Sequence, residues 1–296
     1  MACFHPLEAI RTATGIQITG QASTTRFQST EGRSVLTIPC GKCIGCRMTR
    51  VRSWSIRCMH EAKMHECNSF VTLTYDDGFT YPGLVYRDFQ LFMYRARKLL
   101  GPTRFFMSGE YGTKRLRPHF HALLFGQGFP DRKLIGDNLY RSPVLESLWR
   151  NGFSSVGDVT YSSAAYVAKY SLKKVSGPPA RDHYLRFDRG TGEIVSVFPE
   201  FARMSLKPGI GYNWFMKYWK EVFLARDGIV IDGREVPSPR YYFDLLDRMD
   251  GDLHDAVEFN RYVHSERFKD DCTPERLLSR EICALANERR SKERVL

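Results

Sequence analysis

The sequence contains no hydrophobic run long enough to cross a bilayer, which takes about 20 apolar residues. Residues 1–30 are polar and interrupted and contain no apolar core typical of a secretory segment, so we expect a reducing compartment. A phosphate-binding loop of the G-x-x-x-x-G-K-[ST] type is also missing, which argues against helicase activity within this chain. No stretch is low in complexity.

Acidic residues are in the minority, and the imbalance is local. The chain has 44 Lys and Arg against 33 Asp and Glu, a net charge of +11. Residues 227–296 hold 12 basic and 16 acidic residues, whereas residues 1–226 hold 32 and 17. A basic block of this kind is typical of proteins that neutralise phosphates, so we expect salt-dependent binding to nucleic acid. We expect the acidic C-terminal charges to solvate helices, with partner binding as the alternative.

Two histidines stand one residue apart in RPHFHALLFG, residues 117–126. The apolar run between Pro118 and Gly126 predicts a β-strand, in which side chains i and i+2 share a face. His119 and His121 therefore project together, and burying two imidazoles side by side is costly unless something binds them. The alternative is a pair of hydrogen-bonded strand histidines without an ion.

A third ligand is predicted on the preceding strand, in TRFFMSGEYG. If Tyr111 pairs with Pro118 in an antiparallel hairpin, Glu110 lies directly opposite His119, with Cβ atoms roughly 5 Å apart. Glu110, His119 and His121 then form a site with two imidazoles, one carboxylate and open positions for water or substrate. Such a mixed set suits manganese or magnesium, and could hold other divalent cations. In the alternative, Glu110 is an ordinary surface glutamate.

The stretch SSAAYVAKYSLKK, residues 162–174, predicts a helix with Ser162 or Ser163 as its cap. Tyr166 and Tyr170 are four residues apart and lie one above the other on one helix face. Each is followed three residues later by a lysine, at Lys169 and Lys173. A nearby cation favours the phenolate of a group whose ordinary pKa is about 10. Taken alone, the pattern also fits tyrosines packed on a sheet and lysines in water.

The eight cysteines divide into a cluster and scattered members. Cys40, Cys43 and Cys46 form the cluster in PCGKCIGC, and their spacing favours structural zinc, which usually takes four tetrahedral ligands. The fourth ligand is sought among four residues: Cys3 first, with His5, Cys58 and His60 as alternatives. Reduced thiols or a disulfide are the alternatives to zinc. The remaining thiols are expected to be buried or free: Cys67, Cys272 and Cys283.

Taken together, these motifs resemble those of HUH-type replication-initiator endonucleases. The resemblance is strongest to the replication initiation proteins of small single-stranded DNA phages, the gokushovirus-like branch of the Microviridae. FVTLTYDD (70–77) is similar to the first family motif, RPHFHALLFG to the metal motif, and YVAKYSLKK (166–174) to the two-tyrosine motif. PCGKCIGCR (39–47) and MSLKPGIGYNWFMKYW (204–219) are similar to the phage branch.

The resemblance implies a site-specific single-stranded DNA endonuclease and ligase that initiates rolling-circle replication. His119 and His121 match the metal-binding histidines, and Glu110 falls where relatives place a third ligand. Tyr166 matches the first nucleophile, which gives a 5′-phosphotyrosine link and a free 3′-hydroxyl, and Tyr170 would take the next cleavage. Which tyrosine acts first stays open, because both precede a lysine at the same spacing.

The implied partners are single-stranded origin DNA and a host polymerase and helicase, in the host bacterial cytoplasm. A plasmid initiator, relaxase or transposase with the same chemistry is one alternative. A non-catalytic, zinc-stapled DNA-binding protein is another. Basic residues on the hairpin that carries the metal motif are predicted to contact DNA, with a solvated turn as the alternative: Lys114, Arg115 and Arg117. Aromatic side chains among the charges are candidates for base stacking: Phe105, Tyr111, Trp149 and Tyr161.

The predicted fold class is α+β, a ferredoxin-like HUH endonuclease domain with a central antiparallel sheet and flanking helices. The order expected is helix 47–66, strand 69–75, helix 87–100, the metal hairpin, helix 144–150, strand 153–160 and the tyrosine helix. Three parts are predicted: a Cys-rich, irregular segment with its helix (1–68), the endonuclease core (69–176) and an extension (177–296). The extension is expected to contain a hairpin at 184–204 and helices at 208–225 and 240–296.

Overall fold

The structure is a computed structural model that describes residues 3–12, 14–21, 35–113, 115–170, 174–175 and 177–293. The chain forms two compact units, Met1–Val51 with Phe243–Leu296, and Arg52–Tyr242. Within the described ranges, no helix is both long and apolar enough to cross a membrane.

The N-terminal segment is a small sheet rather than the irregular chain expected for residues 1–47. Its strands β1 (Leu7–Thr12), β2 (Gly15–Gln21) and β3 (Val35–Ile38) pair antiparallel in the order β2-β1-β3. The alternation was hard to read because Ile16 and Ile18 of β2 are both exposed. Helix α1 (Ile44–Ala62) then begins inside the cysteine cluster. It ends before residue 66 because Asn68 Nδ2 donates to the terminal carbonyl of Ala62.

The second unit carries the main sheet and most helices. In chain order, its elements are β4 (Asn68–Tyr75), α2 (Tyr86–Leu100), β5 (Arg104–Tyr111), β6 (Pro118–Phe125), β7 (Lys133–Gly136), β8 (Leu139–Arg141), α3 (Pro143–Leu148), β9 (Gly152–Gly157), α4 (Tyr161–Tyr170), α5 (Ala180–His183), β10 (Leu185–Phe187), β11 (Ile194–Ser196), β12 (Phe201–Met204), α6 (Tyr212–Phe223), β13 (Ile229–Ile231) and β14 (Arg234–Val236). Helix α7 (Arg240–Met249) begins at its end.

Seven strands form one antiparallel sheet in the order β12-β5-β6-β4-β9-β8-β7. Its central strands, β5-β6-β4-β9, have the order of a split βαβ unit, so the predicted fold class is confirmed. The hairpin β7–β8 and the strand β12 extend this sheet on its two sides, and neither was predicted. Strand β9 stops at residue 157 rather than 160, because the following residues turn into the cap of α4.

Alternation along the strands divides the side chains between the two faces of the sheet. Val71, Leu73 and Tyr75 of β4 point to the face covered by α2 and α3, and all are buried. Helix α2 buries residues at helical spacing against them, among them Phe89 and Phe92. Each such aromatic side chain contributes roughly 1.5–3 kcal/mol by burial. The opposite face, which carries the polar residues of β5 and β6, packs against α4.

The C-terminal predictions are largely confirmed. Strands β10 and β11 pair as a hairpin, and Gly192 takes a positive φ of 77° at its turn. Helix α6 falls inside the range 208–225, whereas the hairpin β13–β14 was missed. After α7, the first unit continues with α8 (Gly251–Glu266), a 3₁₀ turn (Lys269–Cys272) and α9 (Pro274–Glu293).

Candidate metal and tyrosine site

The hairpin β5–β6 has the register that the sequence predicted. Tyr111 pairs with Pro118, Glu110 with His119, and Ser108 with His121. Side chains of directly opposed residues share a face, so the carboxylate and both imidazoles lie on the face that packs against α4. The predicted juxtaposition of Glu110, His119 and His121 is therefore present.

The three side chains converge on one point. Nε2 of His119 and Nε2 of His121 each lie 2.8 Å from the same oxygen, Oε1 of Glu110. The candidate ligand atoms of all three residues lie within 4.8 Å of one another. Glu110 and His121 are buried, whereas His119 is half-buried. The cluster is thus fixed by the sheet and approachable from the side of His119.

The other ring nitrogens are held by groups outside the cluster. Nδ1 of His119 lies 3.0 Å from the backbone oxygen of Arg117, which only accepts hydrogen bonds. The proton of His119 is therefore on Nδ1, and its Nε2 keeps a lone pair toward Glu110. Nδ1 of His121 lies 3.0 Å from Oγ1 of Thr72, its register partner on β4. Outer contacts of this kind orient the imidazoles of metal sites.

Electrostatics favour an ionised carboxylate at the centre. Burial by itself raises the pKa of Glu110, but hydrogen bonds and charge from His119 and His121 outweigh it and hold the pKa below its ordinary value. An anionic oxygen with two imidazole nitrogens is a donor set that fits a divalent cation. Two nitrogens among three ligands suit manganese better than magnesium, which prefers oxygen.

Tyr166 lies beside this cluster. Its ring centroid is 4.9 Å from that of His121, at an interplanar angle of 87°. Phe70 of β4 contacts both rings, with centroids 5.6 Å from His121 and 6.1 Å from Tyr166. The Tyr166 side chain is 40% exposed, whereas Val167 and Ala168 are buried and anchor α4. A phenol reachable from solvent therefore stands against one of the candidate metal ligands.

The tyrosine helix is shorter than predicted, and its cap is different. Thr160 and Ser163 cap it reciprocally: Oγ1 of Thr160 accepts from the Ser163 N–H at 3.1 Å, and Oγ of Ser163 accepts from the Thr160 N–H at 2.8 Å. The predicted caps were Ser162 and Ser163. Tyr170 is the last residue of α4, one turn after Tyr166, and Lys169 is exposed. Lys173 and Lys114 lie outside the described residues.

The cysteine cluster assembles with Cys3 as its fourth member. The sulfur atoms of Cys3, Cys40, Cys43 and Cys46 lie within 4.8 Å of one another. The alternative ligands are engaged elsewhere: His5 pairs with Glu281 at 2.7 Å, and Nδ1 of His60 lies 2.9 Å from the Tyr242 hydroxyl. Cys58 is buried but is not part of the four-sulfur group.

Backbone N–H groups surround the cysteine sulfurs. Sγ of Cys40 accepts from the N–H groups of Lys42 and Cys43 at 3.5 and 3.4 Å, and Sγ of Cys3 accepts from Cys40 at 3.2 Å. Burial raises the pKa of Cys43, but hydrogen bonds from Phe4, Cys46 and the other thiols outweigh it and lower the pKa to about 6. Burial also raises the pKa of Cys46. The donor set fits zinc, which binds thiolates.

The remaining cysteines are all free thiols: Cys58, Cys67, Cys272 and Cys283. Cys58 is buried, Cys272 is half-buried, and Cys67 and Cys283 are exposed.

Of the predicted DNA-contacting residues, Arg115 is exposed and Arg117 pairs with Asp77. Three of the predicted stacking residues are wrong: Phe105, Tyr111 and Trp149 belong to the buried core under α2.

The sequence reasoning missed Phe70 and Thr72, which contact Tyr166 and His121. Their signal was the alternation in FVTLTYDD, which places residues 70, 72 and 74 on one face of the strand.

A family model for replication-associated proteins of the ORF2 type matches residues 68–175. The chain is 32% identical over 259 residues to the replication-associated protein VP4 of Bdellovibrio phage phiMH2K, covering 82% of this chain and 76% of that protein. It is 30% identical over 274 residues to the replication-associated protein ORF2 of Spiroplasma virus 4, covering 84% and 81%. For the replication-associated protein ORF4 of Chlamydia phage 1, identity is 29% over 227 residues, covering 72% and 54%.

No solved structure matches this chain. The two longest alignments extend well beyond the residues of the family model, so the likeness includes more than the metal hairpin and the tyrosine helix. The family resemblance predicted from the motifs is confirmed: the chain belongs to the replication-associated proteins of Microviridae-like phages.

Proposed function

We propose that this protein is a site-specific single-stranded DNA endonuclease and ligase that initiates rolling-circle replication of a phage genome. The observation that carries the proposal is the 4.9 Å separation between the rings of Tyr166 and His121, within a cluster that also holds His119 and Glu110. Membership of a family of phage replication-associated proteins supports DNA as the substrate.

In this proposal Glu110, His119 and His121 hold a divalent cation, manganese or magnesium. The ion supplies Lewis-acid polarisation of the scissile phosphate. The sheet supplies rigidity, because all three ligands are on paired strands and the two imidazoles are oriented by Thr72 and Arg117.

Tyr166 is the nucleophile. Its phenol oxygen forms a bond to the phosphorus, the bond from phosphorus to the 3′ oxygen breaks, and the phenol proton is transferred to the departing 3′-hydroxyl. Since one phosphoester replaces another, the strand can be rejoined without a nucleotide cofactor. Lys169, one turn along α4, favours the phenolate through its charge, as Lys173 would for Tyr170. Tyr170 takes the second cleavage of a replication round.

The remaining regions have supporting roles in this proposal. The endonuclease core is residues 69–176, preceded by a zinc-stapled segment (1–68) and followed by an extension (177–296). Cys3, Cys40, Cys43 and Cys46 hold a structural zinc ion. The hairpin residues predicted to contact DNA follow the strand at the nick: Lys114, Arg115 and Arg117.

The test is covalent capture. The protein is incubated with single-stranded origin DNA and manganese and is resolved on a denaturing gel. We expect an adduct that is abolished when Tyr166→Phe and Tyr170→Phe are combined, and the single variants assign the order of the two nucleophiles. Tyr161→Phe is the matched control, because it removes a phenol from the same helix whose hydroxyl bonds to Ser55.

Two results would refute the proposal. An adduct that persists in the double variant would assign the nucleophile elsewhere. Tight binding of authentic origin DNA without any adduct would favour the non-catalytic DNA-binding protein. Replication of a plasmid rather than a phage genome would keep the chemistry and change only the biology.

A further inference from the structure

A cleft of about 400 Å³ lies next to the candidate site, at the end of the sheet where the hairpin β5–β6 turns. The loop after β4 forms one wall, the hairpin turn a second, and β10 with its following residues a third. We call it the hairpin cleft. Its lining residues include Asp76, Tyr81, Arg115, Arg117, Phe187 and Arg189.

The cleft is rich in positive charge. Four arginines line it against two aspartates, and one aspartate, Asp77, pairs with Arg117 at the rim. Arg115 and Arg189 are exposed. A concave surface of this charge attracts phosphate groups, and the affinity falls with salt.

Aromatic side chains stand among these arginines. Phe187 is 60% exposed at the end of β10, and Phe79 and Tyr81 are half-buried on the opposite wall. Bases of single strands stack on such side chains, whereas the bases of a duplex are already stacked on each other. The volume lies within the range of pockets that bind small ligands. The combination fits an unpaired nucleotide.

Asp76 distinguishes this cleft from a simple phosphate trap. Its side chain is exposed and makes no hydrogen bond or ion pair within the part of the chain that the structure describes. A carboxylate weakens phosphate binding through repulsion, but it can accept a hydrogen bond from the exocyclic amino group of a base. Proteins read unpaired bases through such edges.

The cleft is joined directly to the candidate metal site. Pro118 lines it and precedes His119, and the backbone oxygen of Arg117 accepts the hydrogen bond from Nδ1 of His119. Thr74, two residues before Asp76, pairs with His119 across the sheet. A strand bound at the metal ligands therefore passes this cleft within the next few residues of the protein surface.

We propose that the hairpin cleft binds one unpaired nucleotide of the DNA strand beside the scissile phosphate. Phe187 stacks on its base, Arg189 and Arg115 contact its phosphate, and Asp76 accepts from an exocyclic amino group. The assignment of this strand as the nicked one rests on the proposed function, whereas binding of a single strand does not.

Binding of labelled homopolymers tests the cleft. Fluorescence anisotropy is measured with oligodeoxycytidine and oligodeoxyuridine of about 12 nucleotides, which suits a single-strand site. These bases differ in the amino group that Asp76 is proposed to read. We expect Phe187→Ala and Arg189→Ala each to weaken oligodeoxycytidine binding about fivefold or more. The wild type should prefer oligodeoxycytidine, and Asp76→Asn should remove the preference.

Matched controls separate the cleft from a general loss of aromatic or basic surface. Phe153→Ala removes another exposed phenylalanine, 63% exposed on β9, and Arg181→Ala removes another exposed arginine outside the cleft. Both should bind within about twofold of the wild type. Unchanged binding in the two cleft variants, or equal losses in the controls, would overturn the cleft. Equal wild-type affinity for the two homopolymers would overturn the role of Asp76.

Failure of the proposed function is scored separately, as loss of the adduct at saturating origin DNA. If the wild type forms no adduct while Phe187→Ala still weakens single-strand binding, the nuclease proposal fails and the cleft stands. If Phe187→Ala binds normally while Tyr166 forms the adduct, only the cleft fails.

Discussion

Oγ1 of Thr72 lies 3.0 Å from Nδ1 of His121, so one nitrogen of this imidazole is held from β4 while Nε2 faces Glu110. Loss of such an outer contact typically lowers metal affinity about 10- to 100-fold. We expect Thr72→Val, which keeps the β-branched shape, to weaken manganese binding by this amount in isothermal titration calorimetry.

Thr74→Val is the control for this variant. Thr74 lies on the same face of β4 and pairs with His119, but it makes no side-chain hydrogen bond within the described residues. Its manganese affinity should stay within about twofold of the wild type. Equal losses in the two variants would show that β4 acts through packing rather than through the Thr72 hydroxyl.

We expect His119→Ala to abolish adduct formation while leaving most of the affinity for single-stranded DNA. The imidazole is one of three candidate ligands, whereas the phosphate contacts come from arginines such as Arg115. The adduct is measured on a denaturing gel and the affinity by anisotropy. His183→Ala, an exposed histidine outside the cluster, should behave as the wild type. Normal cleavage by His119→Ala would refute the metal assignment.

Zinc content tests the cysteine cluster. We expect a single zinc ion per purified chain, and its loss together with a lower thermal midpoint in Cys43→Ser, because binding of a structural zinc ion adds directly to folding stability. Cys283→Ser removes an exposed thiol of the same unit and should retain the metal. A full zinc complement in Cys43→Ser would exclude the four-cysteine site.

The stability of the second unit should fall in acid because of His60. Burial, together with the charge of Lys63, lowers the pKa of His60 to about 3, and its ring stacks on Trp214 with centroids 3.4 Å apart. Between the unfolded pKa near 6.5 and this folded value, the unfolded chain binds a proton that the folded chain excludes. The contribution is therefore complete above about pH 6.5 and is lost as the pH falls toward 3, with a total of roughly 4–5 kcal/mol.

Urea unfolding at a series of pH values measures this contribution. His60→Phe keeps an aromatic ring against Trp214 and removes the titrating group. We expect the variant to lose less stability than the wild type between pH 6.5 and 4. Parallel profiles for the two proteins would show that His60 does not control the acid sensitivity.

Local patterns predicted the hairpin that carries the candidate ligands. Alternation placed His119 and His121 on one face, and the turn length set the pairing of Glu110 with His119; both depend on neighbours along the chain. The helical repeat of α2 was equally readable, because its buried positions follow the helical spacing. Phe105 and Trp149 were misjudged, since composition does not tell which aromatic side chains face the core.

The sequence by itself determined the sheet core, the shared face of the two histidines and the four-residue spacing of the tyrosines, because these depend on short-range periodicity. Only the tertiary structure decided that Cys3 completes the cysteine cluster, that Thr72 orients His121 and that Phe187 faces the hairpin cleft. Those contacts join segments far apart in the chain. They form because burial of the sheet brings the segments together, and no local pattern encodes that proximity.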